Sequence, residues 1–78
     1  MPTVLRIHGF KFFFYANEGS EPPHVHVDKG DATGKMWLAS RLWAYVRGFN
    51  QTQLRQIEAI LQARQAELME RWNEFFSR

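Results

Sequence analysis

The segment Glu18-Gly19-Ser20-Glu21-Pro22-Pro23-His24-Val25-His26 holds the densest set of reactive side chains in the sequence. Alternate positions of a strand share a face, so His-x-His sets two imidazoles side by side, about 7 Å apart at the backbone. That spacing suits chelation of one transition metal, with a carboxylate as third ligand. Glu18 and Glu21, in the loop before the pair, are the candidate carboxylates. A divalent metal such as zinc is the cofactor such a set would take. The same two histidines are also candidate catalytic residues, because imidazole titrates near neutral pH and can act as acid and base in phosphodiester cleavage. The plainer alternative is a pair of surface or hydrogen-bonded structural histidines. Little else competes. Gly30, Gly34 and Gly48 read as turn residues, Ser20 lacks a nucleophile-elbow context, and cysteine is absent, which removes disulfide and thiolate chemistry.

The elements that must position these residues are legible from alternation and turn chemistry. Thr3–His8 alternates and is rich in β-branched residues, Phe10–Tyr15 is nearly all aromatic, and His24–Asp28 alternates throughout. Lys35–Leu38 and Leu42–Val46 read as two further short strands. Gly9, Ala16–Pro23, Lys29–Gly34 and Ala39–Arg41 punctuate them. The change to helix is marked by Asn50 as N-cap, with Gln53 placed for a capping box and Phe49 and Leu54 for a hydrophobic staple. Leu54, Ile57, Leu61, Leu68, Trp72, Phe75 and Phe76 then follow a helical stripe, interrupted at Arg64 and Gln65. The expected fold is α+β. A small antiparallel β-sheet of four to five strands over residues 3–46 is packed by one long C-terminal helix, or two consecutive helices, over residues 51–76. The 78 residues make a single domain, with the sheet region in residues 1–48 and the helical region in residues 50–77.

Sorting strand residues by face gives two unlike surfaces. Leu5, Ile7, Phe12, Phe14, Val25, Val27, Met36, Leu38, Leu42, Ala44 and Val46 form an apolar set suited to bed the helix. The opposite positions interleave aromatic rings with cations and imidazoles. Arg6, His8, Phe13, Tyr15, Trp37, Trp43, Tyr45 and Arg47 are the candidate binding face, with Lys11, Lys35, His24 and His26 among them. A solvated sheet face has no need of so many aromatics, and a large apolar patch marks an interaction site. A partner protein, a second copy of the chain, or a single-stranded nucleic acid stacked on the rings would each cover it.

Charge and hydropathy narrow the setting. The net charge is +2, and the whole excess falls in residues 1–50. That is too little to point to nucleic acid by itself. No apolar run approaches the 18 or so residues a membrane span needs, and Met1-Pro2-Thr3 does not open a signal peptide. A cytoplasmic location without membrane contact is the expectation.

Phe12-Phe13-Phe14-Tyr15, Asn17-Glu18-Gly19 and Glu21-Pro22-Pro23-His24-Val25-His26-Val27 together closely resemble the signature of domain of unknown function 4160, a family of small bacterial and archaeal proteins. The likeness continues through Arg47-Gly48-Phe49-Asn50 and the Leu54…Trp72…Phe75-Phe76 helix. Such proteins are often encoded beside a second small protein, in an arrangement similar to toxin–antitoxin pairs. The resemblance therefore implies an interaction module of a two-gene system, whose partner is the adjacent gene's product. It places emphasis on Glu18, Glu21, His24 and His26 but brings no catalytic residue. One departure is Arg64, where relatives tend to carry Asn or His, able to cap a second helix. Two functions follow as expectations. One is a module binding protein or nucleic acid through the aromatic and basic face. The other is a metal- or histidine-dependent nuclease built on E-x-x-E-P-P-H-V-H.

Overall fold

The structure is a computed structural model and describes residues 3–77. Five strands run in chain order across one sheet: β1 (Thr3–Ile7), β2 (Phe10–Phe13), β3 (His24–Lys29), β4 (Ala32–Trp37) and β5 (Trp43–Arg47). Every neighbouring pair is antiparallel. A short 3-10 turn, Ala16–Glu18, sits in the connection between β2 and β3. One helix, α1 (Gln51–Phe76), completes the α+β fold. It runs unbroken through Arg64, whose guanidinium pairs with Glu67 one turn on. At 1.5 Å per residue its length is about 39 Å, comparable with the 37 Å long axis of the molecule.

Alternation sets the core. Phe12, Val25, Val27 and Met36 face α1, where Ile57, Leu61, Leu68 and Trp72 are buried against them. Phe10, Phe14 and Leu38 extend the same cluster. The start of α1 follows the capping rule. Asn50 Oδ1 accepts from the Gln53 amide at 2.8 Å, and Gln53 Oε1 accepts from the Asn50 amide at 2.9 Å. Asn50→Ala removes one of these bonds and leaves a helix amide without its acceptor, so it should cost about 1 kcal/mol. An unchanged urea midpoint would rule out a capping role.

Gln65 interrupts the apolar stripe for a reason. Its Nε2 donates to the carbonyls of Leu38 at 2.6 Å and Ala39 at 3.2 Å, and its Oε1 accepts from Arg41 at 2.8 Å. A polar residue thus pins the β4–β5 turn to the middle of the helix. Without it the buried Leu38 carbonyl would lack this donor.

Two expectations need correction here, and both concern the β4–β5 pair. The register between β4 and β5 shifts between Lys35 and Met36, so Lys35 pairs with Tyr45 but Met36 pairs with Trp43. The extra residue turns Trp43 to the helix side. Its indole lies over Gly34, where an added Cβ would come within 2.6 Å of the ring, and its Nε1 donates to Glu58 at 3.2 Å. Gly34 is therefore a strand residue that makes room for an indole, not a turn residue. The expected apolar set also loses three members at and just before the edge strand β5, since Leu42 (65%), Ala44 and Val46 (37%) are exposed.

Candidate metal centre

His24 opens β3 and His26 follows two residues on, so both imidazoles emerge on the sheet face away from α1. Neither is solvated: His24 is 0% and His26 3% exposed. Neighbouring rings account for this. Phe13, paired with His26 across β2 and β3, stacks on its imidazole with centroids 5.4 Å apart. Tyr15 meets His26 edge-on at 4.6 Å and also touches Phe13, 5.2 Å away. Trp37 lies edge-on to His24 at 5.6 Å, and Trp72, reaching from the far end of α1, meets it at a tilt with centroids 4.8 Å apart.

The β2–β3 loop closes the cluster from above. The 3-10 turn is tied by the Glu18 amide to the Tyr15 carbonyl, and the Glu21 amide donates back to the Glu18 carbonyl. Gly19 lets the loop settle on the helix end, because a Cβ there would come within 2.5 Å of Phe76 Cδ1. Pro23 accepts from the Leu38 amide at 3.0 Å and fixes the loop's return. This geometry delivers Glu18 onto the two histidines. Its Oε1 lies 2.7 Å from His24 Nε2 and 2.7 Å from His26 Nε2.

The outer ring nitrogens are also engaged. His24 Nδ1 faces the Pro22 carbonyl at 2.9 Å, and His26 Nδ1 faces the Tyr45 hydroxyl at 3.4 Å. Burial pushes the Glu18 carboxyl up, but its hydrogen bonds with His24 and His26 outweigh that and hold it below the usual carboxylate value. Glu18 is thus ionised at neutral pH. The potential ligand atoms of Glu18, His24 and His26 all lie within 4.8 Å of one another. Two imidazole nitrogens and one carboxylate oxygen are a donor set for a borderline divalent cation.

The structure gathers some of the sequence-derived site residues and disperses others. His24, His26 and Glu18 meet, with Phe13, Tyr15 and Tyr45 around His26. Glu21 turns instead to the Lys35 ammonium. His8 is a turn residue with φ 53°, its carbonyl accepting from Lys29. Arg6 and Arg47 are exposed on the two edge strands, β1 and β5. Trp43 is on the opposite face. Of the aromatics expected on the open face, Phe13 is buried, Trp37 is half-buried, and Tyr15 (39%) and Tyr45 (48%) remain exposed. Two participants escaped sequence reasoning. Trp72 looked like core alone, and the Pro22 carbonyl has no sequence signal beyond lying two residues before His24.

The sequence model for the domain of unknown function DUF4160 matches residues 9–73. This chain belongs to the DUF4160 family. The matched span includes strands β2 to β5, the Glu18/His24/His26 cluster and most of α1. Comparison with the curated proteins and with the solved structures finds no match. For this DUF4160 protein the chemistry must therefore be argued from the cluster itself. Among its described residues no helix is long and apolar enough to cross a membrane.

Proposed function

We propose that this DUF4160 protein is a cytoplasmic interaction module of a two-gene, toxin–antitoxin-like system. It binds the adjacent gene's product through the sheet face opposite α1. The observation that carries this reading is the composition of that face beside the exposed rings of Tyr15 and Tyr45. Cations lie against its rings: Lys11 Nζ is 5.3 Å from the Phe13 centroid and Lys35 Nζ 4.9 Å from that of Trp37. Tyrosine, tryptophan and arginine dominate binding energetics at protein interfaces, because they bury large rigid surface while keeping a polar handle. With α1 occupying the other face, this is the side left for a partner. Its basic residues favour an acidic partner surface.

Tyr15→Ala should weaken the complex with the co-expressed neighbouring product at least about tenfold, an ordinary loss for an interface anchor. Titration of the purified pair checks this, with circular dichroism to show that the fold survives. Unchanged affinity would overturn the reading. An affinity for RNA that collapses steeply with salt, without affinity for the protein, would move the module to nucleic acid instead.

A nuclease is the second reading, and the buried Glu18/His24/His26 cluster is what favours it. Every ring nitrogen of the two histidines has a neighbour within 3.4 Å. Such a reaction would therefore run on a bound metal rather than on free imidazoles.

A further inference from the structure

His24 meets Glu18 in a geometry that calls for a cation, a proton or a metal ion, at its Nε2. Its Nδ1 faces the Pro22 carbonyl, which can only accept a hydrogen bond. The proton of a neutral imidazole must then sit on Nδ1. Its Nε2 is left with a lone pair, and that lone pair points at an ionised carboxylate oxygen 2.7 Å away. Two electron-rich atoms at this distance need a cation between them. His26 aims its own Nε2 at the same oxygen, at the same 2.7 Å. Protons meet this need one nitrogen at a time, on His24 and on His26, whereas one metal ion accepts all three donors at once, and their ligand atoms lie within 4.8 Å of one another.

The outer contacts agree with this. Histidines that hold a metal present one nitrogen to it and fix the other by a hydrogen bond to a carbonyl, carboxylate or other polar group. Here His24 has the Pro22 carbonyl and His26 the Tyr45 hydroxyl in that role. Burial removes both rings from competing water, and the surrounding aromatic rings fix their orientation.

We propose that Glu18, His24 and His26 bind one divalent transition cation, with zinc as the natural probe. Two imidazoles and one carboxylate favour zinc and its neighbours over calcium and magnesium, which prefer all-oxygen shells. Such an ion ties the 3-10 turn to β3 and clips the Ala16–Pro23 loop onto the sheet. A small chain without cysteine gains most from a staple of this kind. Three protein donors also leave coordination positions for water or another ligand. The inference stands apart from the partner-binding reading, because metal uptake requires no partner.

The test is a titration of the full-length, chelator-treated protein with zinc, followed by calorimetry and thermal melting. One ion per chain with micromolar or tighter affinity is expected, together with a Tm raised by about 4 °C or more. Cobalt should give visible absorption bands that zinc abolishes. Glu18→Gln should weaken binding at least about tenfold. Glu21→Gln, which loses only its partner Lys35, and His8→Ala, remote from the cluster, should bind as the parent does. Four results would overturn the proposal: no binding by the parent chain, equal binding by Glu18→Gln, loss of binding in His8→Ala, or displacement of zinc by millimolar magnesium. Because the first measurement uses the unaltered chain, misfolding of a variant cannot hide the answer.

Discussion

Phe14→Ala should lower the unfolding free energy by about 3–5 kcal/mol, the range for truncating a buried phenylalanine. Phe14 is 1% exposed and meets three rings from the last turns of α1. Its centroid lies 5.3 Å from Trp72, 6.1 Å from Phe75 and 6.3 Å from Phe76. This group joins the end of the helix to the strand that leads into the Glu18 loop, so a cavity here loosens both at once. The nearby elements offer little to fill the space, since Trp72 is already engaged with His24 and Phe76 with the backbone at Gly19. Domains are stable by only about 5–15 kcal/mol in total, and short ones lie toward the lower end. The variant should therefore be partly unfolded at 37 °C. Urea unfolding measures the effect, and Leu42→Ala serves as the exposed control, expected within about 0.5 kcal/mol of the parent. A loss below about 1 kcal/mol for Phe14→Ala would mean that the helix end is not anchored through these rings.

The sheet was legible because residue types alternate along β3 and β4, and in β4 burial alternates with them. The helix was legible because Asn50 and Gln53 announce its start and no glycine or proline follows Gly48. What alternation cannot report is an inserted residue. The shift beside Met36 sends Trp43 to the helix side, and a second shift, between Thr3 and Leu5, lets both Val4 and Leu5 pack against the core. The histidine pair was also plain, since H-x-H on a strand requires a shared face. The choice between Glu18 and Glu21 was not. It depends on how a 3-10 turn aims a side chain, and on Gly19 fitting against Phe76, a contact between residues far apart in sequence. The burial of Phe13 was missed for the same reason. A single strand does not reveal that a loop will fold back over it.

The second large effect concerns that loop and is measured without metal, in the presence of a chelator. His24→Ala should cost about 3 kcal/mol. It opens a cavity beside Trp72 and Trp37, frees the Pro22 carbonyl, and deprives the Glu18 carboxylate of one of its two imidazole contacts. Glu18→Ala should cost about 2 kcal/mol, as hydrogen bonds to a charged group do. The two losses should not add. Once His24 is gone, Glu18 keeps only His26, and once Glu18 is gone, the His24 Nε2 has lost its partner. The double variant should fall short of the sum by about 1–2 kcal/mol, as expected for residues in one buried network. Glu21→Ala is the comparison. It breaks a partly exposed pair with Lys35, should cost less than about 1 kcal/mol, and should add to His24→Ala within about 0.5 kcal/mol. Urea unfolding of the parent and these variants gives both coupling values. Additivity between Glu18 and His24 would mean that the loop is held by its backbone bonds at Tyr15 and Pro23 and by the Gly19–Phe76 contact, with the carboxylate a bystander. Strong coupling would place the carboxylate and the buried imidazole in one energetic unit, the arrangement a chelating ion requires to be in place before it arrives.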